Sequence, residues 1–165
     1  MQRSDFEIMA PAGSRETLAA ALQAGADSVY FGIGALNMRA HSAGGFTIDD
    51  LNEIAALCRE HGAKSYLTVN TVIYDGDLAA MREIVSAAKA AGVSAVIASD
   101  VAVMQCCREL GVEVHLSTQL NIANVEALRF YAQFADVVVL ARELTLRQVA
   151  DIRAAIDREG ITGPS

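Results

Sequence analysis

Polar side chains that could bind a substrate or move a proton come at the ends of short apolar runs. Arg142 and Glu143 follow the run at 136–141, and Asn70 ends the run at 64–70. A guanidinium offers a planar fork of donors that suits phosphate or carboxylate, and a carboxylate suits proton transfer. We therefore expect Arg142 and Asn70 to bind and orient a substrate, and Glu143 to transfer a proton.

A second polar stretch accompanies the run at 113–117. It contains His115 within the run and Ser117 and Gln119 at and beyond its end. His115 is the other candidate for proton transfer, and Ser117 and Gln119 are candidates for substrate binding. The alternative for His115 is an interior histidine whose hydrogen bonds are satisfied, which is commoner than a metal ligand.

Two further segments are candidates for the same site. Residues 36–47 form the only long segment without a repeating pattern, and they contain Arg39, a second guanidinium for an anionic substrate. Pro11, Gly13 and Gly32 follow or end apolar runs and are expected to shape turns there. For residues 11–13 a simple turn and a functional turn are equally good interpretations.

Several familiar motifs are absent from the sequence. It contains no G-x-G-x-x-G, H-E-x-x-H, C-x-x-C or G-x-S-x-G. Its three cysteines, Cys58, Cys106 and Cys107, fall in helical patterns, which indicates free thiols rather than disulfides or ligands. We expect no metal site and no cofactor within these residues.

Composition narrows the class of protein. The 165 residues are 53% hydrophobic and 20% charged, as in a folded globular protein, and the formal net charge is −7. No basic stripe is visible, which disfavours a duplex-coating protein without excluding an RNA or a small anionic substrate. No segment is long and apolar enough for a membrane span or a signal peptide, so we expect a cytoplasmic protein without a membrane partner.

Apolar runs and amphipathic stretches alternate along the whole chain. The runs are short and rich in β-branched residues, as buried parallel strands are. The predicted strands are 7–10, 28–32, 64–70, 95–99, 113–117 and 136–141. The predicted helices are 15–24, 49–60, 78–91, 101–110, 125–134 and 146–158.

Six consecutive strand–helix units fit either a barrel or an open doubly wound sheet. Short regular units without a glycine-rich phosphate turn after the first strand favour the barrel. A complete barrel needs roughly 200 to 250 residues. We therefore predict an α/β fold, a TIM-type (β/α)8 barrel truncated to about six units over residues 1–160. Residues 161–165 read as a linker or truncation tail, and the open barrel edges could support self-association.

Several segments, taken in order, resemble peptidase family U-32, the collagenase-like peptidases. They are residues 8–14 (IMAPAGS), 24–32 (AGADSVYFG), 37–40 (NMRA), 46–51 (FTIDDL), 66–71 (YLTVNT), 115–119 (HLSTQ) and 139–144 (VLAREL). The loop at 37–47 and the stretch at 115–119 are most similar to the branch that acts in ribosomal RNA hydroxylation.

This resemblance implies a barrel followed, later in the chain, by a cysteine-containing signature. Relatives hydroxylate bases in ribosomal or transfer RNA or hydroxylate a small molecule, and an iron–sulfur cluster is implied for several of them. Cys58, Cys106 and Cys107 do not match that signature. A cluster is therefore expected only in a longer protein, and these 165 residues alone are expected to be inactive.

Three hypotheses of function remain open at this point. The first is that the full-length protein is an enzyme acting in hydroxylation of RNA bases or of a related small molecule. The second is a protease, as the family label says, although no serine or cysteine is visibly paired with a base. The third is a non-catalytic barrel that binds a partner or serves as a scaffold.

Overall fold

The computed structural model describes residues 2–34, 36 and 45–164. The strands in this part of the chain are β1 (Met9–Pro11), β2 (Ser28–Gly32), β3 (Lys64–Val69), β4 (Ala95–Ala98), β5 (Val114–Leu116) and β6 (Val137–Val138). The α-helices are α1 (Arg15–Gln23), α2 (Leu51–Glu60), α3 (Leu78–Ala91), α4 (Val101–Leu110), α5 (Val125–Tyr131) and α6 (Leu146–Glu159). Each predicted strand and helix is present, and most boundaries agree within two or three residues.

The six strands form one parallel sheet in the order β1-β2-β3-β4-β5-β6. A doubly wound sheet reverses its strand order at a switch point, whereas a barrel adds each strand next to the preceding one. The sequential order therefore identifies a half-barrel of six strand–helix units, and the predicted fold class is confirmed. Within the described residues, β1 and β6 each pair along one side only.

The helices cover one face of the sheet, which is where the main core lies. Phe31, Leu67 and Val96 are fully buried on this face, packed with helix residues such as Val85 and Met104. The alternate strand residues, Tyr66 and His115 among them, therefore occupy the opposite, concave face, which is the barrel interior.

The same pair of hydrogen bonds joins the amino ends of two strand pairs. Asp27, just before β2, accepts a hydrogen bond from Ile8 N at 2.6 Å, and its own N–H donates to Ile8 O. Asp136, just before β6, makes the same two bonds with Val114. A carboxylate at this position extends the parallel ladder by one side-chain hydrogen bond, and it fixes the register of each strand pair.

Two helix ends are held by cations from the preceding helix. Arg59 of α2 donates to Ala91 O at the end of α3, and Lys89 of α3 donates to Gly111 O after α4. Both helices finish on a glycine in the left-handed region, with φ of 74° at Gly92 and 65° at Gly111. Cations near exposed carbonyls at a helix carboxyl end are stabilising.

The first helix is capped more completely than its sequence indicated. The sequence around Ser14 lacks the Glu or Gln of a full capping box, yet Thr17 takes that position. Thr17 N donates to Ser14 Oγ, and Ser14 N donates to Thr17 Oγ1 at 2.9 Å. A threonine hydroxyl accepts a hydrogen bond as a carboxylate does, and this explains the difference.

The first and last strands differ from their predicted bounds. The first begins at Met9 rather than residue 7, because the N–H of Ile8 donates to the Asp27 side chain rather than to a backbone carbonyl of the neighbouring strand. The last covers Val137–Val138 rather than 136–141. Its partner β5 ends at Leu116 and turns away at Thr118–Leu120, so the residues after Val138 have no strand beside them to pair with.

Candidate functional site

The candidate site is the strand-end rim, by which we mean the residues that follow the carboxyl ends of β1–β6. In parallel barrels the loops at this end carry the active site. The sequence-predicted residues on this rim that the structure describes are Pro11, Gly13, Gly32, Asn70, Ser117, Gln119, Arg142 and Glu143. Arg39 lies outside the described residues.

The end of β3 is tied to the start of α4. Asn70 follows Val69 directly and is half-buried. Asp100 caps α4 through Ala102 N at 2.8 Å, and its other oxygen accepts from Ile73 N at 3.1 Å. An aspartate directly before a helix is a typical cap, whereas the second bond of Asp100, which fixes the loop after β3, joins residues 27 positions apart.

The end of β5 turns sharply after a buried serine. Ser117 is buried, its N–H donates to Ala98 O on β4, and its Oγ accepts from Gln119 N at 3.4 Å. This bond starts a single 3-10 turn, Thr118–Leu120, which leaves Gln119 exposed. The Ser117 hydroxyl therefore shapes the turn, and the Gln119 amide is the group presented to solvent.

The end of β6 presents an exposed cation and an exposed anion. Ala141 N donates to Ile122 O, and Leu144 N reaches back to Ala141 O at 3.4 Å, so Arg142 and Glu143 occupy the middle of a turn. Both are exposed, and neither forms an ion pair with another residue in the described ranges. They remain available to a ligand.

The predicted turn residues lie on the same rim. Ala12 N donates to Tyr30 O, which joins the end of β1 to β2, and Gly13 N donates to Thr17 Oγ1 at 3.0 Å. Pro11 is exposed, and Gly32 ends β2. These contacts support a structural role for the turn at 11–13, and they leave its proposed role in the site untested.

His115 lies elsewhere, in a group near the amino ends of the strands that we call the amino-end cluster: Glu7, Lys64, Tyr66, Glu113 and His115, of which only Tyr66 and His115 are buried. His115 is 8% exposed, its Nε2 is 2.8 Å from Glu113 Oε1, and its ring centroid is 4.6 Å from that of Tyr66. Tyr66 in turn donates to Glu7 Oε1 at 2.7 Å, and Lys64 lies 3.6 Å from Glu7. Side chains from alternate strands meet in this way inside a barrel.

The contacts of the amino-end cluster shift the pKa values of two of its residues. Burial, together with the bond to Glu7, raises the pKa of Tyr66, so its hydroxyl stays protonated and donates. Partial burial by itself would raise the pKa of Glu7, but hydrogen bonding from Tyr66 and the charge of Lys64 bring it below its usual value. The cluster is therefore a satisfied set of polar groups, which agrees with the structural interpretation of His115.

The structure thus separates the two candidates for proton transfer. His115 is held between Tyr66 and Glu113 inside the barrel, whereas Glu143 is exposed at the rim. Among the predicted residues that the structure describes, Ser117 and Gln119 are joined by a hydrogen bond. Glu143 is the better placed proton-transfer candidate, and its role remains a prediction.

The three cysteines, all within the described residues, do not fit an iron–sulfur cluster. Cys58, Cys106 and Cys107 are free and buried in helices, and burial raises the pKa of all three thiols, that of Cys107 to about 12. Clusters are held by thiolates, which such thiols do not supply. Among the described residues, no three His, Cys, Asp or Glu side chains converge on a common point.

The helices also bear on the question of membrane insertion. Across residues 2–34, 36 and 45–164, none combines the length and the apolar character needed to cross a bilayer.

Curated relatives align along nearly the whole chain. A protein named collagenase from Porphyromonas gingivalis is 65% identical over 164 residues, which is 99% of this chain and 40% of that protein. The tRNA hydroxylation protein P1 of Bacillus subtilis is 33% identical, over 93% of this chain and 37% of its own length. The 23S rRNA 5-hydroxycytidine C2501 synthase of Escherichia coli is 32% identical, over 92% and 23%. The chain thus spans well under half the length of these relatives.

Solved structures support the same fold. A U32 peptidase structure superposes with a TM-score of 0.68 at 14% identity, covering 90% of this chain and 64% of the other. The deoxyribose phosphate aldolase of Aeropyrum pernix gives 0.65 at 15% identity, covering 92% and 68%. The model of the family described as Peptidase family U32 matches residues 13–160. The chain therefore belongs to peptidase family U32.

Proposed function

We propose that the full-length protein containing this chain acts in the hydroxylation of RNA bases, and that this half-barrel binds the RNA. The observation that carries the proposal is that the polar residues at the strand-end rim are exposed, whereas those of the amino-end cluster are hydrogen-bonded to one another. Arg142, Glu143 and Gln119 are exposed at the rim where barrel enzymes bind substrates, whereas the amino-end cluster is internally satisfied. Relatives named for tRNA and 23S rRNA hydroxylation align over more than nine-tenths of the chain.

The contribution of this chain is to bind and orient. The Arg142 guanidinium pairs with a phosphate oxygen of the RNA, and the Gln119 and Asn70 amides hydrogen-bond to polar groups of the nucleotide. The Glu143 carboxylate holds or accepts a proton at the reacting base. The three cysteines are buried in helices and do not hold a cluster in this chain.

Complementation tests this function. The full-length protein is expressed in Escherichia coli strains that lack either the tRNA hydroxylation protein or the 23S rRNA 5-hydroxycytidine C2501 synthase. Mass spectrometry of nucleosides from each RNA then shows which hydroxylated base returns. Restoration in one strain identifies the RNA, and no restoration in either strain contradicts the proposal.

Proteolysis is the second candidate, because the collagenase-named relative shares 65% identity with this chain. Its weakness is chemical: the cysteines described above are buried with raised pKa values. Purified full-length protein that cleaves collagen, and loses this activity in an Arg142→Ala or Glu143→Gln variant, would favour this candidate. Cleavage that both variants retain would point to a contaminating protease.

A further inference from the structure

Within the described residues, four of the five helices that lead into a strand end in the same way. Each of α1–α4 is followed by a glycine in the left-handed region, with φ between 65° and 80°. The residue after this glycine donates its N–H to the carbonyl five residues earlier, as is common where a helix ends on glycine. The bonds join Ala26 to Ala21, Ala63 to Cys58, Val93 to Ala88 and Val112 to Cys107. The next strand begins two or three residues after the glycine and pairs with the preceding strand.

The last helix, α6, ends in this way too. Gly160 has a φ of 61°, and Ile161 N donates to Ile156 O at 3.1 Å. With the spacing of the other four helix ends, a strand would begin at residue 162 or 163. The helix end alone does not separate a strand from a linker, because many helices finish on a glycine. The position of the residues that follow Ile161 decides between the two.

These residues lie beside the start of β6. A Cβ atom at Gly163 would be 3.3 Å from Ala135 O and 3.4 Å from Asp136 Cα, so the backbone of residue 163 runs directly against the residues that precede β6. Pro164 is half-buried, and a proline is accepted where a strand begins. The chain therefore reaches the amino end of β6 at the place where a further parallel strand would start.

β6 has hydrogen-bonding groups that face away from β5. Val114 N donates to the Asp136 carboxylate, so alternate positions of β5, counted from Val114, point to β6. Leu116 is one of them, and since it pairs with Val138, its N–H is directed at the carbonyl of Val137. The backbone groups of Val137 therefore face β5 and those of Val138 face the other side. In the described part of the chain, no strand lies on that side.

The same edge is apolar. A groove of about 370 Å³ lies between β6 and α6, and its lining includes Val137, Val138, Val149, Ile152 and Ile161. Val137 is 40% exposed and Val149 is 37% exposed. An apolar strand edge with unused N–H and C=O groups is a template for another strand. A strand placed here would bury these side chains and pair with Val138.

We propose that residues 161–164 lead into a seventh parallel strand, which is supplied by the following part of the full-length protein and covers the free edge of β6. The chain spans 40% of the collagenase-named relative, so a relative of that length has residues to supply the strand. Covalent attachment at the end of the groove gives this strand a higher effective concentration than a separate partner has. The interpretation of residues 161–165 as a linker is thereby replaced.

This strand would also bear on the candidate site. A strand that runs parallel to β6 ends on the same side as β6 does, next to Arg142 and Glu143. The loop that follows it would therefore form the next part of the strand-end rim. The inference itself does not depend on which substrate the rim binds.

Hydrogen exchange of the full-length protein, read by mass spectrometry at single-residue resolution, tests the pairing. The Val138 amide is expected to exchange at least roughly a hundredfold more slowly than an exposed amide, because it is bonded to the seventh strand. The Val137 amide faces β5 and is slow in either case, so it serves as the internal reference. Fast exchange at Val138 with slow exchange at Val137 overturns the proposal. Protection of Val138 that disappears on dilution points to a second copy instead and also overturns it.

A pair of glycine variants tests the approach of residue 163 to β6. Gly163→Ala places a methyl group against the backbone at Ala135 and is expected to speed exchange at Val138 and to lower the unfolding midpoint. Gly76→Ala is the matched control, because a Cβ atom there meets nothing within 4 Å, and both values are expected to stay at those of wild type. Equal exchange at Val138 in the two variants would show that residues 161–164 do not lead into the strand.

Discussion

Polar side chains are hydrogen-bonded to one another at one end of the half-barrel and exposed to solvent at the other. At the amino ends, Tyr66 bonds to Glu7 and His115 bonds to Glu113, all on or next to strands. At the strand-end rim, Arg142 and Glu143 sit exposed in a turn. A polar group whose hydrogen bonds are satisfied inside the protein contributes to stability, whereas an exposed group without a protein partner is free to bind a ligand. The comparison therefore separates residues that stabilise the fold from residues that we propose to contact the substrate.

The largest expected effect is on stability at the amino end. Tyr66 is 2% exposed and contacts both His115 and Glu7, so Tyr66→Ala is expected to lower the free energy of unfolding by about 3–5 kcal/mol. Tyr66→Phe keeps the ring and removes the bond to Glu7, and is expected to cost about 1 kcal/mol. Urea denaturation measures both. A loss of less than about 1 kcal/mol in Tyr66→Ala would contradict the role of the ring in packing.

The next largest expected effect is at the strand-end rim, and it is on activity rather than on stability. Arg142→Ala is expected to reduce hydroxylation at least tenfold, because a charge-assisted contact with phosphate is worth roughly 1.5–3 kcal/mol. Its free energy of unfolding is expected to stay within about 0.5 kcal/mol of wild type, since the residue is exposed. Nucleoside mass spectrometry and urea denaturation give the two values. Unchanged hydroxylation would remove Arg142 from the site.

His115 gives the sharpest test of which end performs the chemistry. His115→Gln loses the ring contact with Tyr66 and the bond to Glu113, so the free energy of unfolding is expected to fall by about 1–3 kcal/mol. Hydroxylation per folded molecule is expected to remain, whereas Glu143→Gln is expected to abolish it without a loss of stability. The reverse result would return proton transfer to His115.

The smallest expected effect is on the stability of the protein at low pH. The bond from Ile8 N and the charge of Arg3 hold the pKa of Asp27 below its usual value. A carboxylate whose pKa is lower in the folded state stabilises the protein above its unfolded pKa, which is about 4, and this stabilisation is lost as the pH falls through the folded pKa. Asp27→Asn is therefore expected to lower stability at pH 7 and to flatten its decline below pH 4. Thermal unfolding from pH 7 to pH 3 measures this, and parallel curves for the two proteins would contradict it.

Much of the half-barrel was predictable because its signals are local. The alternation of apolar runs with helical patterns located all twelve elements, and glycines after helices marked their ends. The role of Asp100 as a helix cap was predictable from its place before α4. Its bond to Ile73 was not, because it joins loops 27 residues apart.

The candidate site was predictable only in part. Residue type and position after a strand pointed to Asn70, Gln119, Arg142 and Glu143, and the structure describes all of them on the rim.

The sequence by itself determined the order and type of the elements, the parallel sheet and the family of the protein, because periodicity and motif order are properties of the chain. Only the tertiary structure decided which polar side chains are buried against a partner and which are exposed to solvent. His115 and Ser117 are two residues apart, yet the first contacts Tyr66 in the interior and the second shapes a turn at the rim. Whether a polar group meets a partner or solvent depends on residues brought together from distant strands, and that information is absent from local sequence.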